Sequence, residues 1–221
     1  MDMYKLWDNQ LRELQRAYCL ICEEVNFTKE PVATMQEIQD LEAKLDCSLP
    51  DSLKQAFLEF SKSISFYALL PDEFELPHAL REIFSAQFTI SLADVLEAET
   101  SRRSWVEACF PDPDDPYDKV WHNKLGMMTV GNGDVIAFAL DDGNTDNRVV
   151  YLSHDDGPGH GYVLGSNFQE YFSNLLLIGG CGNEDWQMEP FITDAQKGIN
   201  PDCENARLYR DLIGLKLPLC D

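Results

Sequence analysis

Positive charge is what this chain has least of. Its 221 residues carry 17 Lys+Arg against 39 Asp+Glu, a net charge of −22. Phosphate backbones and anionic lipid repel such a chain, so neither nucleic acid nor a membrane surface is an expected partner. Long apolar runs are missing too. Nothing approaches the ~18 residues that cross a bilayer, and the run Leu175 to Ile178 before Gly179 and Gly180 reads as a helix end. The first eight residues, Met1 to Asp8, place charges where a secretion signal has its apolar core, so no signal is expected. Seven cysteines, odd in number and irregular in spacing, make no disulfide framework. Reduced thiols in a cytoplasmic protein are the expectation.

Catalytic signatures are equally scarce. There is no phosphate loop, no nucleophile elbow and no His-Glu-x-x-His, and Gly131-Asn132-Gly133 lacks a third glycine and reads as a turn. Cys19-Leu20-Ile21-Cys22 falls within the expected first helix with no second pair, which favours structural thiols over a redox or zinc site. Asp142, Asn144 and Asp146 match alternate calcium ligands, but Asn147 and Ser153 stand where that loop needs Gly and Glu. Neither enzymatic activity nor a cofactor or metal is expected.

What is present is an ordinary globular content, 44% hydrophobic, enough for one good core. Apolar residues at Met3, Trp7, Leu11, Leu14, Tyr18, Ile21 and Val25 predict one long amphipathic helix. Its apolar face either packs within the chain or meets a partner. Thr34 with Glu37 forms a capping box for a second helix carrying Ile38, Leu41 and Leu45. Pro50, at a first-turn position, opens a third with Leu53, Phe57 and Phe60. Phe66–Leu70 and Phe88–Ile90 read as strands, and Ser91 with Asp94 starts a helix from Leu92 to Thr100. A meander follows, with strands at Met127–Val130, Asp134–Leu140, Arg148–Ser153 and Gly161–Leu164. Ser166 with Gln169 caps a further helix, and Asn200-Pro201 opens a last one carrying Leu208, Leu212 and Ile213. The expected class is α+β, helices packed on a mostly antiparallel sheet. Its parts are an N-terminal helical extension (1–30), a central domain (31–180) and a C-terminal helical extension (181–221).

From Asp112 to Asp156 there are ten aspartates, no glutamate and three basic residues, Lys119, Lys124 and Arg148. Turns select Asp, whose short side chain bonds nearby backbone N–H groups. That explains the residue type but not the missing compensation, which a basic partner would explain. The contact candidates are Asp112, Asp114, Asp115, Asp141, Asp142, Asp155 and Asp156, with Tyr117 and Trp121 as aromatic anchors. Trp121 could equally pack under the sheet. The segment Ser153-His154-Asp155-Asp156-Gly157-Pro158-Gly159-His160 comes nearest to chemistry, since histidines beside carboxylates suit a general base or a metal. Crowded into one turn, it reads first as a structural turn with a polar rim.

Several segments together resemble the SUKH superfamily, Smi-one/Knr-four type. The Ile38-Gln39-Asp40-Leu41-Glu42 helix, the Leu49-Pro50 break and the Phe57-Leu58 helix are similar to its opening. Gly133-Asp134, Val149-Val150-Tyr151-Leu152-Ser153-His154-Asp155 and Ser166-Asn167-Phe168-Gln169-Glu170-Tyr171-Phe172 are similar to its later strands and helix. One departure is Ser61-Lys62-Ser63-Ile64, where the family usually has an Asn-Gly turn. The resemblance implies a non-enzymatic α+β protein-binding module. In bacteria that means an immunity protein against a toxin, often a nuclease; in fungi, a regulatory scaffold of cell-wall signalling. The expected partner is a cognate toxin or other basic protein, bound by a monomer or weak homodimer.

Overall fold

Helix and strand signals alternate along the chain, and most of them fold where the residues place them. A computed structural model describes residues 3–140 and 145–217. Its elements are α1 (Met3–Tyr18), β1 (Val25–Lys29), α2 (Met35–Leu45), α3 (Asp51–Glu59), β2 (Ser63–Leu69), β3 (Ser85–Ser91), α4 (Leu92–Ala108), α5 (Asp118–Trp121), β4 (Lys124–Thr129), β5 (Val135–Ala139), β6 (Val149–Leu152), β7 (Val163–Gly165), α6 (Phe168–Leu177), α7 (Asp185–Met188) and α8 (Glu204–Leu212). The class is α+β. The antiparallel strands form two sheets, β1-β2-β3 and β4-β5-β6-β7.

The opening helices show why their sequence signals work. Thr34 Oγ1 accepts from the Glu37 amide while the Glu37 carboxylate accepts from the Thr34 amide, the reciprocal cap expected. Glu42 then accepts from the Leu49 amide (2.9 Å) and from Lys54 (2.8 Å), which fixes the Leu-Pro break against both helices. Pro50 stands just before the first turn of α3, one place earlier than expected. Where the Asn-Gly turn is replaced, Ser61 Oγ bonds the Glu30 carbonyl (2.7 Å) and Lys62 pairs with Glu37 (3.1 Å).

Four expectations need correction. Helix α1 stops at Tyr18, so Cys19 and Cys22 lie in the turn after it, and Val25 opens a strand instead. The alternation of Val25-Asn26-Phe27-Thr28-Lys29 outweighs the helical spacing, because Phe27 pairs with Phe66 on β2. Helix α4 runs past Thr100 to Ala108, since its second half buries an ion pair rather than an apolar stripe. The cap of α6 is Asn167 with Glu170, one residue beyond Ser166. On α8 the buried face is Ala206, Tyr209 and Ile213, while Leu208 and Leu212 are exposed.

The apolar face of α1 packs within the chain. Trp7, Leu11, Leu14 and Tyr18 are buried in the main core with the first sheet, α6 and α8. Tyr18 shares a 2.9 Å hydroxyl–hydroxyl bond with Tyr209, joining α1 to α8. The second sheet separates two cores. Ile136, Phe138, Val149, Tyr151 and Leu164 face the main one. Val135, Ala137, Ala139, Val150, Leu152 and Val163 face a smaller one built on Trp121 and Phe110. Helix α4 lies so close to β4 that a Cβ at Gly126 would meet the backbone of Ala98 and Glu99. Glu99 binds Arg102 (2.8 Å), Arg103 (2.6 Å) and the Gly126 amide (2.8 Å) across that contact.

Candidate functional site

The loop from Phe110 to Asp118 is shaped by its own aspartates. Asp112 accepts from the Asp114 amide (3.0 Å), Asp115 from those of Tyr117 (2.8 Å) and Asp118 (3.1 Å), and Asp118 from that of Asp112 (3.1 Å). These bonds satisfy backbone donors that three prolines and a turn would otherwise leave open. The carboxylates of Asp112, Asp114 and Asp115 remain in solvent, as do those of Asp155 and Asp156. No ion pair among the described residues engages any of the five.

Tyr117 joins this loop to the one after β6. Its hydroxyl donates to the Ser153 carbonyl (2.6 Å) and accepts from the Asp156 amide (3.0 Å). Its ring stacks on His160 with centroids 3.8 Å apart. His160 Nδ1 accepts from the Ser153 amide (3.1 Å), so Nε2 carries the proton and donates to the Tyr117 carbonyl (3.1 Å). Burial lowers the His160 pKa, which keeps this neutral form. Both ring nitrogens are committed to the backbone, and His160 is a structural histidine.

His154 is arranged differently. Its Nδ1 lies 2.6 Å from Asp134 Oδ1, and its backbone amide donates to the same oxygen (2.8 Å). Asp134 is only 1% exposed. Its other oxygen accepts from the Tyr151 hydroxyl (2.7 Å) and Asn132 Nδ2 (2.7 Å). The outer face of the His154 ring stacks on Trp105, 4.7 Å between centroids. Tyr151 also accepts from the Asp185 amide (3.1 Å), and Asp185 Oδ2 accepts from the Gly159 amide (3.0 Å). Burial raises the Asp185 pKa, with Asp134 and Asp155 adding to the effect by like charge. This end of the second sheet thus gathers the carboxylates of Asp134 and Asp155 around the His154 imidazole, while Asp185 is held on Tyr151 and the Gly159 amide.

Of the residues singled out in the sequence, Asp112, Asp114, Asp115, Tyr117, Asp155 and Asp156 are brought into neighbouring loops. Trp121 is fully buried and stacks on Phe110 (4.9 Å), so of its two readings packing under the sheet is the one realised. Tyr117 is half-buried and its hydroxyl is spent on the loop. Asp141 and Asp142 lie outside the described residues, with Gly143 and Asn144 of the calcium-like loop. Asp134 was missed as a site residue because its partner lies 20 positions away. A signal existed: antiparallel pairing of Val135 with Leu152, extended by one, sets Asp134 beside Ser153 and His154.

Residues 32–174 match the model of the SMI1 / KNR4 family (SUKH-1), a span that contains Asp134, Tyr151, His154 and both acidic loops. Among curated proteins no significant match is found. The matched span includes the Glu42 brace, the two-faced second sheet and the loops at its end, and covers well over half of the chain: the protein belongs to the SMI1 / KNR4 family (SUKH-1).

Proposed function

We propose that this protein is a non-enzymatic binding module that captures a basic protein on its acidic loops, most simply as a cytoplasmic immunity protein against a cognate nuclease-type toxin. One observation carries the reading. Five solvent-facing aspartates, Asp112, Asp114, Asp115, Asp155 and Asp156, sit on two loops locked together by Tyr117 and His160, and none of the five is in an ion pair with a Lys or Arg among the described residues. A fixed field of one sign accelerates encounter with a complementary partner and rejects anionic ones. Free thiols at all six described cysteines agree with a reducing compartment.

The test is co-expression with the product of the neighbouring gene, followed by binding kinetics at two salt concentrations. Association should slow by at least ~10-fold when the five aspartates become asparagine, with the salt dependence flattened. An association rate indifferent to both changes overturns the acidic-face reading. A regulatory scaffold is the alternative. It draws on Leu208 and Leu212, exposed four residues apart on α8. Rescue of cells from an expressed toxin separates the two, because a scaffold gives none.

A further inference from the structure

We propose that Asp134, His154 and Asp155 form a binding site for a divalent transition-metal ion of the zinc class. One ligand atom from each residue lies within 4.8 Å of the others. An imidazole nitrogen with two carboxylates suits Zn²⁺, Co²⁺ or Mn²⁺, whereas Ca²⁺ and Mg²⁺ prefer oxygen-only shells. The set differs from the one the turn sequence suggests, because both nitrogens of His160 are committed to backbone and the buried Asp134 takes its place.

Two further features favour a cation here. The carboxylates are already oriented by outer partners: Tyr151 and Asn132 hold Asp134, and Ser153 Oγ donates to Asp155 (2.9 Å). Metal-ligating groups are characteristically supported in this way. The local charge is also unbalanced. Among the described residues Asp134, Asp155 and the buried Asp185 have no Lys or Arg in ion-pair contact, and His154 alone could bring Asp134 a positive charge. A buried carboxylate short of positive charge is costly, and a divalent ion supplies two units where a proton supplies one. The exposed side at Asp155 leaves room for water or a partner's side chain to complete the coordination.

The experiment uses the full chain, cleared of metal by chelation and with its thiols alkylated so that Cys19 and Cys22 cannot compete. Titration with Co²⁺ should give one ion per chain, a visible d–d band and quenching of the Trp105 fluorescence, since Trp105 stacks on His154. Trp105→Phe should remove that quenching and keep the binding. Zn²⁺ should compete. His154→Gln and Asp155→Asn should each weaken binding at least ~10-fold, with circular dichroism unchanged. Asp155 is exposed, so its variant reports on the site and not on folding. Binding that does not saturate, or that survives both substitutions at full affinity, overturns the proposal.

Discussion

The two sheets solve burial in opposite ways. In β2 of the first sheet Ile64, Phe66 and Ala68 are buried while Ser63, Ser65 and Tyr67 between them are half-exposed. In β5 and β6 of the second every residue is buried, because a core lies on each face. The first sheet is a wall with one wet side. The second is the inner layer of a sandwich, and its ends carry the loops that hold Tyr117, His154 and His160. A platform covered on both faces deforms little, so the loops inherit fixed positions.

Substitutions can break this comparison, and the largest effect is expected where α4 closes the second sheet. Glu99→Ala leaves Arg102 buried without its carboxylate and should cost about 3–5 kcal/mol in urea unfolding. Gly126→Ala should give a loss of similar rank, since the α4 backbone occupies the space of the new methyl. Trp121→Ala empties the smaller core at about 3–5 kcal/mol. It should also loosen the acidic loops, seen as faster amide exchange in residues 112–118.

Acid should act on the second sheet in two stages. His160 has its pKa depressed by burial, so its contribution is complete above the unfolded value of about 6.5 and is lost as pH falls through the folded one. Burial alone would raise the Glu99 carboxyl, but Arg102, the Gly126 amide and Arg103 hold it below its ordinary value. Its contribution is therefore lost only at a lower pH, on passing through that depressed folded value. The Ser153 amide should lose exchange protection in the first stage, and His160→Gln should abolish that stage alone. The smallest effect belongs to the open face of the first sheet. There Ser65 and Thr89 share a 3.0 Å hydroxyl bond, and Thr89→Ala should cost under about 1 kcal/mol. Equal costs for Thr89→Ala and Trp121→Ala would refute the contrast between the sheets.

How far residues alone reveal this architecture depends on the same contrast. The first sheet advertises its faces through alternation, and Val25–Lys29 was lost only because helical spacing upstream ran into it. The second sheet is visible as strands, but runs such as Val135-Ile136-Ala137-Phe138-Ala139 carry no period that marks two cores. The far half of α4 hides its inward face behind charge, since Glu99 and Arg102 are buried as a pair. The acidic loops were legible from composition. The Asp134–His154 pair required strand register, a long-range property that no local pattern encodes.

The Tyr18–Tyr209 bond has a consequence for how the chain is made. It links residues 191 apart, and beside it Arg16 donates to the Gly214 carbonyl (2.8 Å) and Glu13 accepts from the Lys216 amide (3.0 Å). During synthesis α1 leaves the ribosome long before α8 exists, so its amphipathic face must wait, half covered, for a partner that emerges much later. Such distant closure slows folding and leaves apolar surface open to other chains in the interval. The nascent protein should therefore depend on being shielded until α8 docks, and cutting the chain before Tyr209 should yield aggregates rather than a shortened but folded protein.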